Sequence, residues 1–391
     1  MDAKTLIVYV SPWNWDYFWS RSQPLAKALS AECTVVYVDN WPSPRSRMAR
    51  LLAVAGRSSI EPISDGLFRY HLTQVGSLGV HMPSGNEGER SPRAYRMIRR
   101  DLRPLMRRHK EVWLLISRPV TLGYLELAPW DKVIVDIEDP WLSVPWASRI
   151  PQGNVQKLLK RADAVFANGA RVAEEYAQIG SRPVHALPNG IEADFVQSVS
   201  AARGSPSRLG DPAGRKRVAF TGQIDERVDL EAVSHMAEAR PDFDFIFVGK
   251  DNFPDAAHAR QWRDIQAFKN FRYIPRVDRS EIPPILANAD VLLIPYAHIG
   301  SVMMFPAKLL EYLSSPAVVL TSVDYSLDLP ELQKMPAVRA CTTPDAWEQA
   351  LKEVADGRLR VTDEERALRA TLLSNNTWES KARQFLSLAR Q

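Results

Sequence analysis

The stretch Ala289-Asp-Val-Leu-Leu-Ile-Pro-Tyr296, followed by Phe305-Pro-Ala-Lys-Leu-Leu-Glu-Tyr-Leu313, reads as a buried strand, a polar loop and a helix that carries Lys308 and Glu311. Four apolar residues in a row, Val291 to Ile294, fit a central parallel strand, and Pro295 ends the ladder because it has no N–H to donate. The loop and the helix start beyond Pro295 lie at the carboxyl edge of a sheet, where open α/β sheets bind ligands and helix starts attract anions. Lys308 adds a mobile positive charge. Glu311, one turn on and facing the same side, can accept hydrogen bonds from a diol. Cation and diol acceptor together point to a nucleoside diphosphate; the same spacing also describes an amphipathic helix with an i,i+3 ion pair.

Outward from this stretch the grammar repeats. Strand Val218–Phe220 runs into Gly222, helix Leu230–Ala239 ends before Pro241, strand Phe245–Val248 runs into Gly249-Lys250, and strand Phe271–Ile274 runs into Pro275. The N-terminal half alternates apolar runs (Leu6–Val10, Thr34–Val38, Val112–Ile116, Val133–Val135, Ala164–Phe166, Val184–Leu187) with helical segments such as Gln23–Leu29, Val155–Arg161 and Ala170–Gln178. That is the pattern of a doubly wound parallel sheet. Ser198 to Lys216, rich in Ser, Ala, Gly, Pro and Arg, has little to bury and reads as a linker. The expectation is an α/β protein of two tandem Rossmann-like domains, residues 1–200 and 215–375, with a cleft between them. A terminal helix over 376–391 starts at Asn376 or Thr377.

A chain of 391 residues suffices for two cores, and 45% hydrophobic with 25% charged residues is a globular composition. Cys33 and Cys341 stand far apart, so neither a zinc site nor a disulfide framework is indicated, and a reducing cytoplasm fits. The apolar run Leu6–Val10 is too short for a signal-peptide core, and no run approaches the roughly 20 residues that span a bilayer. Any membrane contact is therefore peripheral. Basic charge concentrates in Arg90 to Lys110, which holds nine basic residues and one acid, Asp101, with Tyr95, Ile98, Leu102, Leu105 and Met106 at helical spacing. It reads as one basic amphipathic helix, interrupted or kinked near Pro104, and Arg45–Leu52 has the same flavour. An anionic membrane surface and plain solvent are both partners for such a face. Nucleic acid is not, because aromatics are not interleaved with the charges.

Pro188-Asn-Gly-Ile-Glu192, Phe220-Thr-Gly-Gln-Ile-Asp-Glu-Arg227, Phe247-Val-Gly-Lys250 and Pro306-Ala-Lys-Leu-Leu-Glu-Tyr-Leu313, in that order, resemble the GT-B glycosyltransferases of the large group 1 (family 4-like) superfamily. Within it the chain is similar to the xanthan-type glucuronosyltransferases, monotopic enzymes that act on a lipid-linked acceptor. The resemblance implies that the C-terminal domain binds a nucleotide-sugar donor of UDP or GDP type, the N-terminal domain binds the acceptor, and the final helix crosses back onto the first domain. It further implies that Gly222 lets a loop approach the donor phosphates, Lys308 binds the diphosphate, Glu311 holds the ribose hydroxyls, and Tyr296 lines the base or sugar pocket. Arg276 and Lys250 fall where the family contacts base or phosphate; both also read as solvated loop residues.

One departure bears on mechanism. Many retaining members carry two glutamates eight positions apart; the second matches Glu311, but the first falls at Met303, which can hold no charge. Inversion then needs a carboxylate from the N-terminal domain, and Val133-Ile-Val-Asp-Ile-Glu-Asp-Pro140 delivers Asp136, Glu138 and Asp139 to a sheet edge. By analogy with the xanthan-type enzymes, Asp139 is the expected base. A metal site or helix-capping carboxylates are the rival readings of this cluster, and the expectation is that no metal or other cofactor is needed. Five aromatics in Trp13–Trp19 follow the first strand, where they would stack on sugar rings or dip into a lipid interface. Trp15, Asp16, Arg21 and Gln23 are the candidate acceptor contacts. The expected activity is transfer of a hexose to a lipid-linked or polysaccharide acceptor at the inner face of the plasma membrane, in cell-surface polysaccharide synthesis. A nucleotide-sugar epimerase and a catalytically silent peripheral-membrane protein are the alternatives.

Overall fold

A computed structural model describes residues 5–17, 19–39, 59–71, 92–119, 121–143, 152–210, 214–253, 255–297 and 304–391. The basic stretch Arg45–Leu52 and Met303 lie outside the described residues. The chain divides into two units, one built from Met1–Asn189 and Trp378–Gln391, the other from Gly190–Ile299 and Phe305–Thr377.

Among the described residues, the first unit holds an eight-stranded sheet. Its strands are β1 (Thr5–Val10), β2 (Thr34–Val38), β3 (Ser59–Ser64), β4 (Leu67–His71), β5 (Glu111–Ile116), β6 (Lys132–Ile137), β7 (Ala164–Ala167) and β8 (Val184–Ala186). Their spatial order is β3-β4-β2-β1-β5-β6-β7-β8. All neighbours pair in parallel except β3 and β4, an antiparallel hairpin. Alternate residues feed two cores. Leu6, Val8 and Val10 face one, with Leu114, Ile116, Val133 and Val135; Ile7, Tyr9, Val35, Tyr37 and Leu115 face the other.

The helix Ser22–Leu29 and the terminal helix Trp378–Arg390 cover the second core through Leu25, Leu29, Trp378, Phe385 and Leu386. Phe385 stacks on Phe166 at 4.4 Å between ring centroids, and Lys132 Nζ donates to the Ala389 carbonyl at 2.5 Å. The terminal helix thus belongs to the first unit, as expected. The first core is covered by Pro92–Met106, whose Ile98 and Leu102 are buried while Arg96, Arg99, Arg100 and Arg103 face solvent, as do Arg107, Arg108 and Lys110 just beyond it. This helix runs unbroken through Pro104, which falls in its last turn, where one lost hydrogen bond does not end it.

The second unit is a six-stranded parallel sheet of β9 (Lys216–Thr221), β10 (Phe243–Val248), β11 (Phe271–Ile274), β12 (Val291–Ile294), β13 (Val318–Thr321) and β14 (Val338–Ala340). The order β11-β10-β9-β12-β13-β14 reverses between β9 and β12. That reversal is the topological switch point, outside whose carboxyl ends ligands bind. The first unit ends at Asn189 rather than near residue 200. The physical reason is the helix Ala193–Ala201, which enters the expected linker and buries Phe195 and Val199 in the second unit.

Candidate functional site

At the switch point of the second unit, two strand ends meet backbone to backbone. Gly222 (φ +137) donates its N–H to Val248 O at 2.9 Å, and a Cβ on Gly249 (φ +151) would lie 1.7 Å from Gly222 O. Only glycine fits such a pair of turns. A Cβ on Gly222 would in turn lie 2.8 Å from Lys308 Nζ, so the bare backbone is what admits the ammonium. That ammonium sits 3.9 Å from the centroid of the Phe220 ring and 4.9 Å from that of Tyr296. Aromatic faces attract a cation without neutralising it. The loop after β9 is tied to the end of β12 by Asp229 N to Pro295 O and Ala297 N to Arg227 O, both 2.8 Å, while Tyr296 N donates to Ser322 Oγ at 2.9 Å.

The structure therefore brings Gly222, Tyr296 and Lys308 together. Glu311, on the helix Ala307–Leu313, accepts a hydrogen bond from Arg279 Nη1 at 3.4 Å. Burial raises its pKa, and the positive charges of Arg279 and Lys308 oppose that rise. Lys250 and Arg276 stand exposed on the loops after β10 and β11. Arg279 was not legible as a site residue, because a loop arginine carries no motif.

In the first unit the acids at the end of β6 have distinct surroundings. Asp136 is fully buried and bound by Arg21, Nε to Oδ2 and Nη2 to Oδ1, both at 2.9 Å. Glu138 Oε1 accepts from Ser22 Oγ at 2.5 Å and Tyr9 OH at 3.3 Å. Burial first, then the charge of Asp136, pushes the Glu138 carboxyl up to about 8. Asp139 is half-buried, the more accessible of the three. Arg118, unnoticed in the sequence, follows β5; burial lowers its guanidinium to about 10, against the attraction of Glu138 and Asp139. Among the described residues no three His, Cys, Asp or Glu side chains are grouped to hold a metal ion.

The candidate acceptor residues form a braced loop. Trp15 packs edge-on against Tyr37 at 5.1 Å, and its backbone N–H donates to Asp39 Oδ1 at 3.0 Å. Asp16 is exposed and accepts from Arg69 Nη1 at 2.5 Å; Arg69 Nε also binds Asp39, at 2.8 Å. Arg21 and Gln23 turn inward, Gln23 to Ser20 and the Asn14 carbonyl, so they shape the loop. Tyr17 and Trp19 keep 55% and 38% of their surface exposed, Tyr17 stacking on Trp13 at 5.9 Å and Trp19 packing edge-on against Trp15 at 5.8 Å.

With this geometry in view, comparison with known proteins bears first on the second unit. Residues 215–356 match the family of glycosyl transferases group 1. A protein of Bacillus subtilis (strain 168), whose assignment as the teichuronic acid biosynthesis glycosyltransferase TuaH is itself provisional, is 25% identical over 225 residues. That alignment covers 54% of this chain and 53% of the relative, so the chain spans about half the relative's length. Three solved structures align along almost the whole chain. Sucrose-phosphate synthase from Thermosynechococcus elongatus does so with a TM-score of 0.71 at 16% identity, covering 99% of this chain and 98% of that one. The E. coli trehalose-6-phosphate structure bound with UDP-2-fluoro glucose gives 0.67 at 11% identity, covering 99% of each chain. Anabaena HepE in complex with UDP and glucose gives 0.62 at 13% identity, covering 98% of each. At such identities the likeness is one of fold, and the fold is GT-B.

Proposed function

We propose that the protein is an inverting, metal-independent glycosyltransferase that moves a sugar from a nucleoside diphosphate sugar to a lipid-linked or polysaccharide acceptor. The observation that carries this reading is the Lys308 ammonium, seated against the bare backbone of Gly222 at the switch point, inside the segment that matches the glycosyltransferase family. In this reading Lys308 neutralises the leaving diphosphate, Glu311 receives the ribose hydroxyls, and Tyr296 lines the pocket. Lys250 and Arg276 offer further contacts from adjoining loops. The acceptor hydroxyl attacks the anomeric carbon as the bond to the diphosphate breaks, and Asp139 takes the hydroxyl proton. Trp15 and its braced loop present the acceptor. UDP in two structures of the same fold, and the relative's provisional assignment to teichuronic acid biosynthesis, support a UDP-type donor and a polysaccharide product. The basic face of Pro92–Met106 supports docking on an anionic inner membrane surface.

A panel of UDP- and GDP-sugars, each with and without a polyprenyl-linked or glycan acceptor, tests the reading. Nucleoside diphosphate release that requires acceptor is expected. Epimerisation without acceptor, or no release from any donor, overturns it.

A further inference from the structure

The second unit contains an ion-pair network that the roles above leave unused. Arg279 opens the short 3-10 turn Arg279–Glu281, beyond β11. Its Nη1 donates to Glu311 Oε1 at 3.4 Å, its Nη2 donates to Glu192 Oε2, and its guanidinium lies 5.0 Å from the centroid of the Phe195 ring. Glu192 immediately precedes the helix Ala193–Ala201, and Phe195 lies in that helix's first turn, so both anchors come from one element. Two carboxylates and a ring meet one guanidinium and hold Arg279 in place, although half of its side chain is exposed. A lysine, as a point charge, could not reproduce this.

We propose that Arg279 is the positioning residue for ribose recognition, holding Glu311 by one carboxylate oxygen so that the other is presented to a diol beside the diphosphate at Lys308. This rests on the nucleoside diphosphate reading above. The Glu311 side chain keeps 21% of its surface exposed, which leaves it open to a ligand while it is tethered. Electrostatics favour the same assignment. Burial raises the Glu311 carboxyl, Arg279 is the strongest influence against that rise, and the charge of Glu192 adds to it. Without Arg279, Glu311 and Glu192 would share a site as like charges with only Lys308 to offset them, and a protonated Glu311 would offer less acceptor capacity to a diol. Lys308 cannot substitute, since a bound diphosphate claims its charge.

Calorimetric titration of the full chain with UDP, GDP and their 2′-deoxy forms tests the assignment, with inorganic pyrophosphate as a probe of the diphosphate contacts alone. The wild type is expected to prefer the ribo form about tenfold, the discrimination a hydrogen bond to a charged group provides. Arg279→Gln should bring that ratio close to one while pyrophosphate still binds. Glu192→Gln, which removes one anchor and leaves Arg279 in place, should give an intermediate ratio, and it decides the matter if Arg279→Gln does not fold. A ribo preference unchanged in these variants, or absent from the wild type, overturns the role of Arg279 and leaves the glycosyltransferase reading standing. A wild type that binds neither UDP nor GDP overturns both.

Discussion

Lys308 and Glu138 show how far side-chain surroundings, rather than residue type, set the chemistry. Lys308 packs on two aromatic rings and a glycine at the switch point, with the Glu311 carboxyl one helical turn on. Its charge is thus held ready for an anion. Lys308→Ala should weaken nucleoside diphosphate binding by about 2 kcal/mol, the scale of a charge-assisted contact. Titration with UDP and GDP checks this, and an unchanged Kd would remove Lys308 from the diphosphate site. Glu138 makes a prediction about pH. Its folded value, about 8, stands above the ordinary 4.5, so the neutral form is the one the fold favours. Its contribution is therefore complete below about 4.5 and is lost as pH rises through about 8. Glu138→Gln keeps the shape and the acceptor for Ser22 but has no proton to lose. Between pH 5 and 9 it should gain stability relative to the wild type, with an upper limit of about 5 kcal/mol at about 1.4 kcal/mol per pKa unit. Thermal melts across that range read the difference, and parallel pH courses for the two proteins would show that Glu138 is not held neutral. Lys308 was legible in the sequence because its motif is local. The Arg21–Asp136 pair, whose partners stand 115 positions apart, and the Arg279 network were not, because no local pattern records them.

Among the elements, burial on both faces is what made a strand readable. β2 and β11 have the bounds expected from their apolar runs, β1 and β10 extend theirs by a residue or two, and β6 by three. The β3–β4 hairpin escaped notice because Ser59-Ile-Glu-Pro-Ile-Ser64 is an edge strand with a proline and a charge, features that elsewhere argue against a strand. The helix Pro92–Met106 was legible for the opposite reason: its apolar residues recur at helical spacing and its arginines fill the other face. The structure places that apolar stripe in the first core, so docking by this element would use charge alone. Vesicle binding should then require anionic lipid and fall as salt rises, since attraction is screened beyond about 8 Å at physiological ionic strength. Replacing Arg96, Arg99 and Arg103 by Glu should abolish it with the fold intact, because all three side chains face solvent. Sedimentation with phosphatidylglycerol-containing and neutral vesicles measures this; equal binding to both would assign the basic face to solvent.

For the molecule as a whole, the two units present different chemistry, and the assignment of tasks between them can be tested through one carboxylate. Every residue given a donor role, from Gly222 to Glu311, lies in the second unit, whereas the acids at the end of β6 lie in the first. Of those acids, Asp136 is bound by Arg21 and Glu138 is buried under Ser22 and Tyr9, whereas Asp139 is half-buried and so the most accessible of the three. Arg118, after β5, is attracted to both Glu138 and Asp139. Asp139→Asn should therefore slow transfer by on the order of 10²–10⁴-fold, the usual cost of losing a general base. Nucleoside diphosphate affinity should stay within a few-fold of wild type, because no donor contact has been touched. Raised KM for acceptor with unchanged kcat would instead make Asp139 a binding residue. The stereochemistry of the product is an independent check. A base that activates the acceptor for a single displacement gives a glycoside of inverted anomeric configuration, which proton coupling constants read directly. A product that retains the donor's configuration would reject inversion whichever carboxylate is involved, and Asp139 would not be the base.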